Sequence, residues 1–403
     1  MQNGLNYLNS LKEWVGDITE FSLEPIKLVL AALGDPQDKI PSIHVAGTNG
    51  KGSVCAMVAA GLASTGARVG LTTSPHLTRL NERIVIDGRA ISDELLNEFS
   101  ELVCRAASKV NTKLSFFEAM IATAFLVFEQ ESLDWMVVEV GLGGRLDSSN
   151  VISRPEVASI VTVALDHQAM LGATIREIAA EKAGIIKTGS LCTIGPVEDE
   201  AFIEISRRAD DHNVKIERFG RDFGLDLNYS GTEGSYQKIN HAVAANILKQ
   251  LGFLSDEVLE SATKAYWPAR LEWLEHTGRK LLIDCAHNPA GVGALCEYLT
   301  SQSLTGLTVI FGALETKNWN TMIDSLRDFG SEWVIFEPDH AKAVSAERIG
   351  EYLSRNEISF SVMGREYEKL EEIIQSTSME RSILITGSIY LVGKLREQLV
   401  KER

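Results

Sequence analysis

The sequence has few cysteines, few prolines, no long apolar run and a deficit of positive charge. Its five cysteines (Cys55, Cys104, Cys192, Cys285 and Cys296) are scattered among 403 residues and never form a Cys-x-x-Cys pair. That argues against a disulfide framework or a thiolate zinc site, and a reducing, cytoplasmic setting is expected. Nine prolines and 23% charged residues do not describe a disordered or fibrous chain. Met1 to Gly16 mixes Asn, Lys and Glu with single apolar residues. Neither a signal peptide nor a membrane segment is expected. Lys and Arg number 39 against 55 Asp and Glu, a net charge of −16. Such a balance repels a phosphate backbone, which argues against non-specific nucleic-acid binding. An anionic ligand then needs a locally built site, made of helix N-termini, a few placed cations and Mg²⁺.

What is present is a long α/β pattern. From Ile40, short β-branched runs alternate with amphipathic stretches: Ile43 to Ala46, Val54 to Thr65, Val69 to Thr72, Asp93 to Ala107, Phe116 to Gln130 and Trp135 to Val140. The order resumes after Trp267-Pro268, from Leu281 to Asp284 through to Ser382 to Thr386 and a final helix. Two α/β domains are expected: residues 1–270 with a P-loop-type, mostly parallel sheet, and a smaller Rossmann-like unit over 271–403. Gly220 to Gln237 reads as a hairpin or loop, followed by a helix from Ile239 to Leu251.

The strand Ser42 to Ala46 runs into Gly47-Thr48-Asn49-Gly50-Lys51-Gly52-Ser53 and then into a helix. Glycines let backbone N–H groups converge on phosphate oxygens, Lys51 neutralises charge, and the Ser53 hydroxyl opens the helix beside a metal. Glu139 ends an apolar strand at the carboxyl edge of a parallel sheet, a position that suits a Mg²⁺ ligand, and Ser74 and His167 also follow strands, on the same expected rim. Glu181-Lys182, taken alone, reads as a solvated helix face. Asn288-Pro289 reads as a helix cap followed by the first helical position.

The loop resembles the ATP loop of the Mur ligase superfamily, and Val-Ala-Gly-Thr-Asn-Gly-Lys-Gly-Ser resembles folylpolyglutamate synthase/dihydrofolate synthase. Further motifs follow in that family's order: Thr73-Ser74-Pro75-His76-Leu77 with Asn81-Glu82-Arg83-Ile84; Phe117-Glu118; Glu139 to Asp147; Leu165-Asp166-His167; Glu181 to Ile185; and Asp284-Cys285-Ala286-His287-Asn288-Pro289. The resemblance implies an ATP-dependent ligase that activates a carboxylate as an acyl phosphate and joins it to L-glutamate, with dihydropteroate and folates as acceptors. It further implies two Mg²⁺ ions, one on Ser74 and Glu139 and one on Glu139 and His167, and a carbamylated Lys182. Nucleotide contacts are implied at Asn240, Arg270 and Asp284, with His287 orienting a substrate or phosphate.

A pterin needs an apolar slot with aromatic walls, for which Ser115, Phe117 and Asp147 are the expected lining; Phe117 reads equally as helix core. The family usually has Pro-Gly-Arg where this chain has Pro268-Ala269-Arg270, so a stiffer backbone is expected there. Thr316-Lys317-Asn318 and Phe21 to Pro25 also depart from the family pattern, the latter touching the dihydropteroate reaction. A monomer is expected. The alternatives are a ligase acting on folates only, a Mur-type amino-acid ligase, and an ATP-controlled switch protein. Because Lys51 is the only cation of the loop, Lys51→Ala should abolish glutamate ligation while leaving the fold intact; near wild-type turnover in a labelled-glutamate assay would refute the assignment.

Overall fold

The computed structural model describes residues 4–11, 22–225 and 234–401. The chain divides into two compact units, one of residues 4–11, 22–225 and 237–266, the other of 234–236 and 267–401.

Eight strands form the sheet of the first unit: β1 Ser42–Ala46, β2 Val69–Thr72, β3 Ile84–Ile86, β4 Arg89–Ala90, β5 Trp135–Glu139, β6 Val157–Ile160, β7 Leu191–Ile194 and β8 Ile216–Arg218. They lie in the order β4-β3-β2-β5-β1-β6-β7-β8. All neighbours from β2 to β8 are parallel, and β3 and β4 add an antiparallel edge. β1 is buried at all five positions, as a strand covered on both faces must be. Met136 and Val138 pack with the helices Asp93–Lys109 and Phe116–Gln130. Ala46, Ala158 and Ile160 pack into a separate core with the helices Ile175–Ala183 and Asp199–Asp211. Placing β5 and β6 on opposite sides of β1 makes the carboxyl end of β1 a topological switch point, where open α/β sheets bind ligands.

The second unit carries six strands: β9 Glu272–His276, β10 Arg279–Ile283, β11 Leu307–Phe311, β12 Gly330–Phe336, β13 Phe360–Gly364 and β14 Ile383–Thr386, in the order β13-β12-β11-β14-β10-β9. Only the β9–β10 pair is antiparallel, joined by a two-residue turn whose Thr277 and Gly278 both have positive φ. The core is aliphatic, with Trp333, Tyr298 and Phe311 its large members.

Several expected elements match within a residue or two, β1 and β2 at both ends. The helix expected from Ile239 begins at Ser235, and β8 occupies part of the run just before Gly220. The hairpin or loop expected over Gly220 to Gln237 falls partly on residues 226–233, which lie outside the described residues, as does much of the segment Met1 to Gly16.

Close backbone approach fixes the loop after β5. A Cβ added to Gly144 would stand 2.7 Å from the Glu181 carbonyl oxygen and 2.9 Å from that of Lys182, and neither backbone atom can swing aside. Gly144→Ala should therefore lower the unfolding free energy by about 2 kcal/mol. Gly293→Ala, in the helix Pro289–Ser301 where an added Cβ meets open space, should be neutral or slightly stabilising. Urea denaturation of the two variants checks the contrast.

Candidate active site

Loops after β2, β5, β1 and β6 emerge side by side, because these four strands are consecutive in the sheet. The loop after β1 is held from β6. Thr162 accepts the Asn49 N–H on Oγ1 at 2.9 Å and donates the same hydroxyl to the Asn49 carbonyl at 2.9 Å. Its own carbonyl accepts the Thr48 N–H at 2.9 Å, and the Thr48 hydroxyl pairs with both the N–H and carbonyl of Ala164. Thr48 and Asn49 thus anchor the loop. The amides from Gly50 onward enter the helix Lys51–Ser64, whose first turn has no intrahelical acceptors for its N–H groups.

Gly50 caps that helix at φ +84°, and a Cβ there would meet Asn240 Oδ1 at 2.4 Å. Asn240 is thereby brought against the loop. It also donates to Gln237 Oε1. Gly47 is similarly confined by Val161 and Thr162, and Ser53 is buried in the first turn, after Gly52.

Lys51 Nζ lies 3.5 Å from the Thr48 carbonyl and 3.9 Å from Glu139 Oε1. Glu139 is the last residue of β5 and is buried; its Oε2 accepts the Ser74 N–H at 3.1 Å. Ser74 and Glu139 therefore meet on the rim. His167 stands on the loop after β6 with φ +50°, its Nε2 3.8 Å from Asp166 Oδ1. Among the described residues no three His, Cys, Asp or Glu side chains form a ready-made metal cage. Mg²⁺ does not require one, since it usually takes one or two protein carboxylates and completes its shell with water and phosphate oxygens. The oxygen donors of Glu139 and Ser74 fit that ion. The imidazole of His167 is a softer donor than Mg²⁺ favours.

Lys182 departs from the reading of its residues taken alone. It is only 3% exposed, near the end of a helix opened by a Thr174/Glu177 capping box. Burial pulls its pKa down to about 7, the Lys51 cation adds to that, and Asp166, Asp147 and Glu181 oppose it. The Lys51 ammonium of the phosphate loop is thus among the charges that the buried amine feels. Gly144 passes over its backbone, and Arg145 pairs with Glu181 through both N–H and side chain.

Asp147 is buried where the loop after β5 ends. It accepts the Leu142 N–H at 2.8 Å, the Ser149 N–H at 2.9 Å and the Ser149 hydroxyl. Burial raises its pKa against these bonds. Ser149 Oγ in turn lies 2.8 Å from His44 Nε2. His44 is neutral, its pKa pushed to about 3 by burial, and since the serine proton goes to Asp147 the imidazole proton is assigned to Nε2. His44, Ser149 and Thr162 were missed from the sequence; the signal was a histidine inside the apolar strand Ser-Ile-His-Val-Ala.

Phe117 is half-buried against the core, and its ring presses on the loop after β5, so that a Cβ at Gly141 would fall 2.5 Å from it. Packing against the core agrees with the reading of Phe117 as helix core. Ser115 caps the helix of Phe117, its N–H and hydroxyl taken by Glu118.

In the second unit, Asp284 is buried and accepts hydrogen bonds from Leu271 N–H, the Tyr236 hydroxyl and Ala286 N–H, at 2.9, 2.9 and 2.8 Å. The Arg270 cation offsets the rise in pKa that burial imposes on it. His287 Nδ1 lies 2.9 Å from the Cys285 carbonyl, which fixes the proton of the neutral ring on Nδ1, and Asn288 caps the next helix as expected.

A glycine loop opening a helix at a switch point, beside a strand-end carboxylate and a buried lysine, defines a nucleotide-dependent enzyme of the α/β class. Residues 45–249 match the Mur ligase middle domain and residues 269–389 the Mur ligase glutamate ligase domain. The chain belongs to the Mur ligase family, in its dihydrofolate synthase/folylpolyglutamate synthase branch. It is 33% identical to the Bacillus subtilis dihydrofolate synthase/folylpolyglutamate synthase over 96% of this chain and 98% of that one. The Lacticaseibacillus casei folylpolyglutamate synthase is also 33% identical, over 93% and 94%. The structure of Escherichia coli FolC in complex with DHPP and ADP superposes with a TM-score of 0.89 at 25% identity, covering 100% of this chain and 98% of that one.

The burial of Lys182 has a thermodynamic signature. Its folded pKa of about 7 lies below the ordinary 10.5, so between these values the unfolded chain binds more protons and stability rises with pH. In bicarbonate-free buffer, the stability of Lys182→Met minus that of the wild type should therefore shrink as pH rises above about 7 and stay level below it. A difference independent of pH in denaturant titrations would show that Lys182 is solvated.

Proposed function

We propose that this chain is an ATP-dependent ligase that joins L-glutamate to dihydropteroate and to folates through an acyl phosphate. The observation that carries the reading is the convergence of the phosphate loop, Glu139 and buried Lys182 on one sheet rim, in a chain matched over nearly its full length by relatives of that name. The amides after Gly50 and the Lys51 ammonium take the ATP phosphates, and Asn240, Arg270 and Asp284 serve the nucleotide. Transfer of the γ-phosphoryl group to the substrate carboxylate is a matter of alignment and charge neutralisation, so no protein nucleophile is required. Ser74 and Glu139 would hold one Mg²⁺ ion, and Glu139 a second with His167 as the weaker donor of the set; when bound, the ions supply charge neutralisation at the phosphates.

Lys182, with a pKa near neutrality, holds enough unprotonated amine to add to CO₂ through a new N–C bond, releasing one proton to solvent, and the carbamate puts an anion where the Lys51 cation now disfavours a positive charge. Phe117 and Asp147 line the pterin slot, with Ser115 fixing the helix that presents Phe117, and His287 orients the acyl or phosphate group. Five scattered cysteines with no Cys-x-x-Cys spacing support a cytoplasmic location. Among the described residues no helix is long and apolar enough to cross a membrane.

ATP-dependent incorporation of labelled L-glutamate, run in parallel with dihydropteroate and tetrahydrofolate, tests the reading. Incorporation with both supports it, with tetrahydrofolate alone restricts it to the folate ligase, and slow ATP hydrolysis without incorporation overturns it in favour of a switch. Lys182→Ala should lose nearly all activity and regain part of it with added acetate, which stands in for the carbamate, whereas Lys182→Arg should stay inactive with the additive. Full activity of Lys182→Ala without acetate would end the carbamate assignment.

A further inference from the structure

Arg270 sits between two residues in left-handed backbone, Ala269 at φ +55° and Leu271 at φ +48°. Neither is a glycine, and such a conformation costs a residue with a Cβ about 1 kcal/mol or more. Both are buried, Ala269 completely. The surrounding bonds hold them there. The Ala269 N–H donates to Glu272 Oε2 at 2.8 Å, and its carbonyl accepts the Cys285 N–H at 2.9 Å. On the other side the Leu271 N–H donates to Asp284 Oδ2 at 2.9 Å.

Each of the two carboxylates is itself fixed. Asp284 is held by the Tyr236 hydroxyl and the Ala286 N–H. Glu272, on β9, is gripped by Arg396 of the helix Ile389–Lys401, with Nε on Oε2 at 2.7 Å and Nη2 on Oε1 at 2.8 Å. This planar fork leaves the carboxylate one orientation, in which Oε2 also receives the Ala269 N–H. A buried ion pair adds little net stability over an apolar pair of equal volume, so what this one supplies here is direction.

We propose that Glu272, locked by Arg396, is a positioning residue for the ligase reaction: it holds Ala269 in its left-handed conformation and so fixes the direction in which Arg270 leaves the chain. This rests on the proposed nucleotide role of Arg270, taken as bracing of the phosphates by its guanidinium. Without the Glu272 acceptor Ala269 is free to relax to an ordinary backbone region, which swings the Cα–Cβ bond of its neighbour and displaces a guanidinium at the end of a long side chain. A displacement of about 1 Å at a reacting centre is enough to cost two orders of magnitude in rate.

The test is a set of variants assayed for kcat and KM with ATP and with L-glutamate, each with its thermal midpoint. Glu272→Ala should lower kcat/KM for ATP by about tenfold while the KM for L-glutamate stays within about twofold. In an Arg270→Ala background it should cause no further loss, because its effect runs through that side chain. Adding Ala269→Gly, which adopts the left-handed region without a Cβ penalty, should return about threefold of the lost activity. Glu272→Gln, which keeps the size and one acceptor oxygen, carries the same test with a smaller loss should the alanine variant not fold. Losses that add in the double variant, or full activity of Glu272→Ala or Glu272→Gln beside an impaired Arg270→Ala, would overturn the positioning role alone. Wild-type kinetics for Arg270→Ala would overturn the phosphate role of Arg270, and the inference with it.

Discussion

A sheet buried on both faces has no room for charge within its layers, and the first unit is built around that constraint. β1 has no solvent-facing side and β5 and β6 are lined with apolar residues, so Glu139, Lys51, Lys182 and Asp147 can stand only at the rim where strands become loops. Even there they are largely out of water, and burying charge is tolerated only with hydrogen-bond or charge partners. The Ser74 amide serves Glu139, and the amides of Leu142 and Ser149 serve Asp147. Lys182 lacks a comparably close partner among the bonds described above and responds by loss of basicity, the usual outcome for a buried amine. The same burial that makes this lysine costly leaves a share of its amine unprotonated near neutral pH.

The loops that bear these groups are tied to one another more than to solvent. Thr162 couples the ends of β1 and β6 through both hydrogen-bonding functions of one hydroxyl. The run His44, Ser149, Asp147 couples the middle of β1 to the loop after β5, and Gly144 lets that loop lie against the backbone of Lys182. Side chains held in this way lose little entropy when a substrate arrives, and a site that acts by alignment and electrostatics gains from such preorganisation.

Much of this was legible in the sequence where local chemistry and tertiary demand agree. The apolar runs of β1, β2 and β11 end where glycine or polar residues begin, and the strand, glycine loop and helix of residues 42–64 form as their pattern requires. What stayed illegible depended on contacts remote in sequence. Glu181-Lys182 carries the polarity of a surface helix, yet Lys182 is buried, and the loop around Gly144, nearly forty residues earlier, packs against its backbone. β9 reads Glu-Trp-Leu-Glu-His and lacks β-branched residues; it is a strand because Thr277-Gly278 turns it back upon β10. Asp87-Gly88 makes the same positive-φ turn between β3 and β4, and there the dipeptide alone was a usable hairpin signal. Tyr236 and Glu272 left no local signature, since their partners Asp284 and Arg396 lie 48 and 124 residues away.

The alanine at position 269 brings these arguments to one point. From sequence the replacement of a glycine by alanine implies a stiffer backbone, and the structure shows the strain as a buried alanine at φ +55°. A carboxylate hydrogen-bonded directly to a phosphate-binding cation must be displaced whenever phosphate binds. One bonded to the adjacent amide need not be, so it can stay in place through every catalytic cycle. Lys51 is treated alike: Glu139 stands 3.9 Å from its ammonium, beyond hydrogen-bonding distance, while its place in the chain is set by Gly50 in left-handed backbone and by the Thr162 latch on Asn49. Strain of about 1 kcal/mol per residue is small beside what a misdirected cation would cost in transition-state stabilisation. Holding the backbone fixes where each charge points.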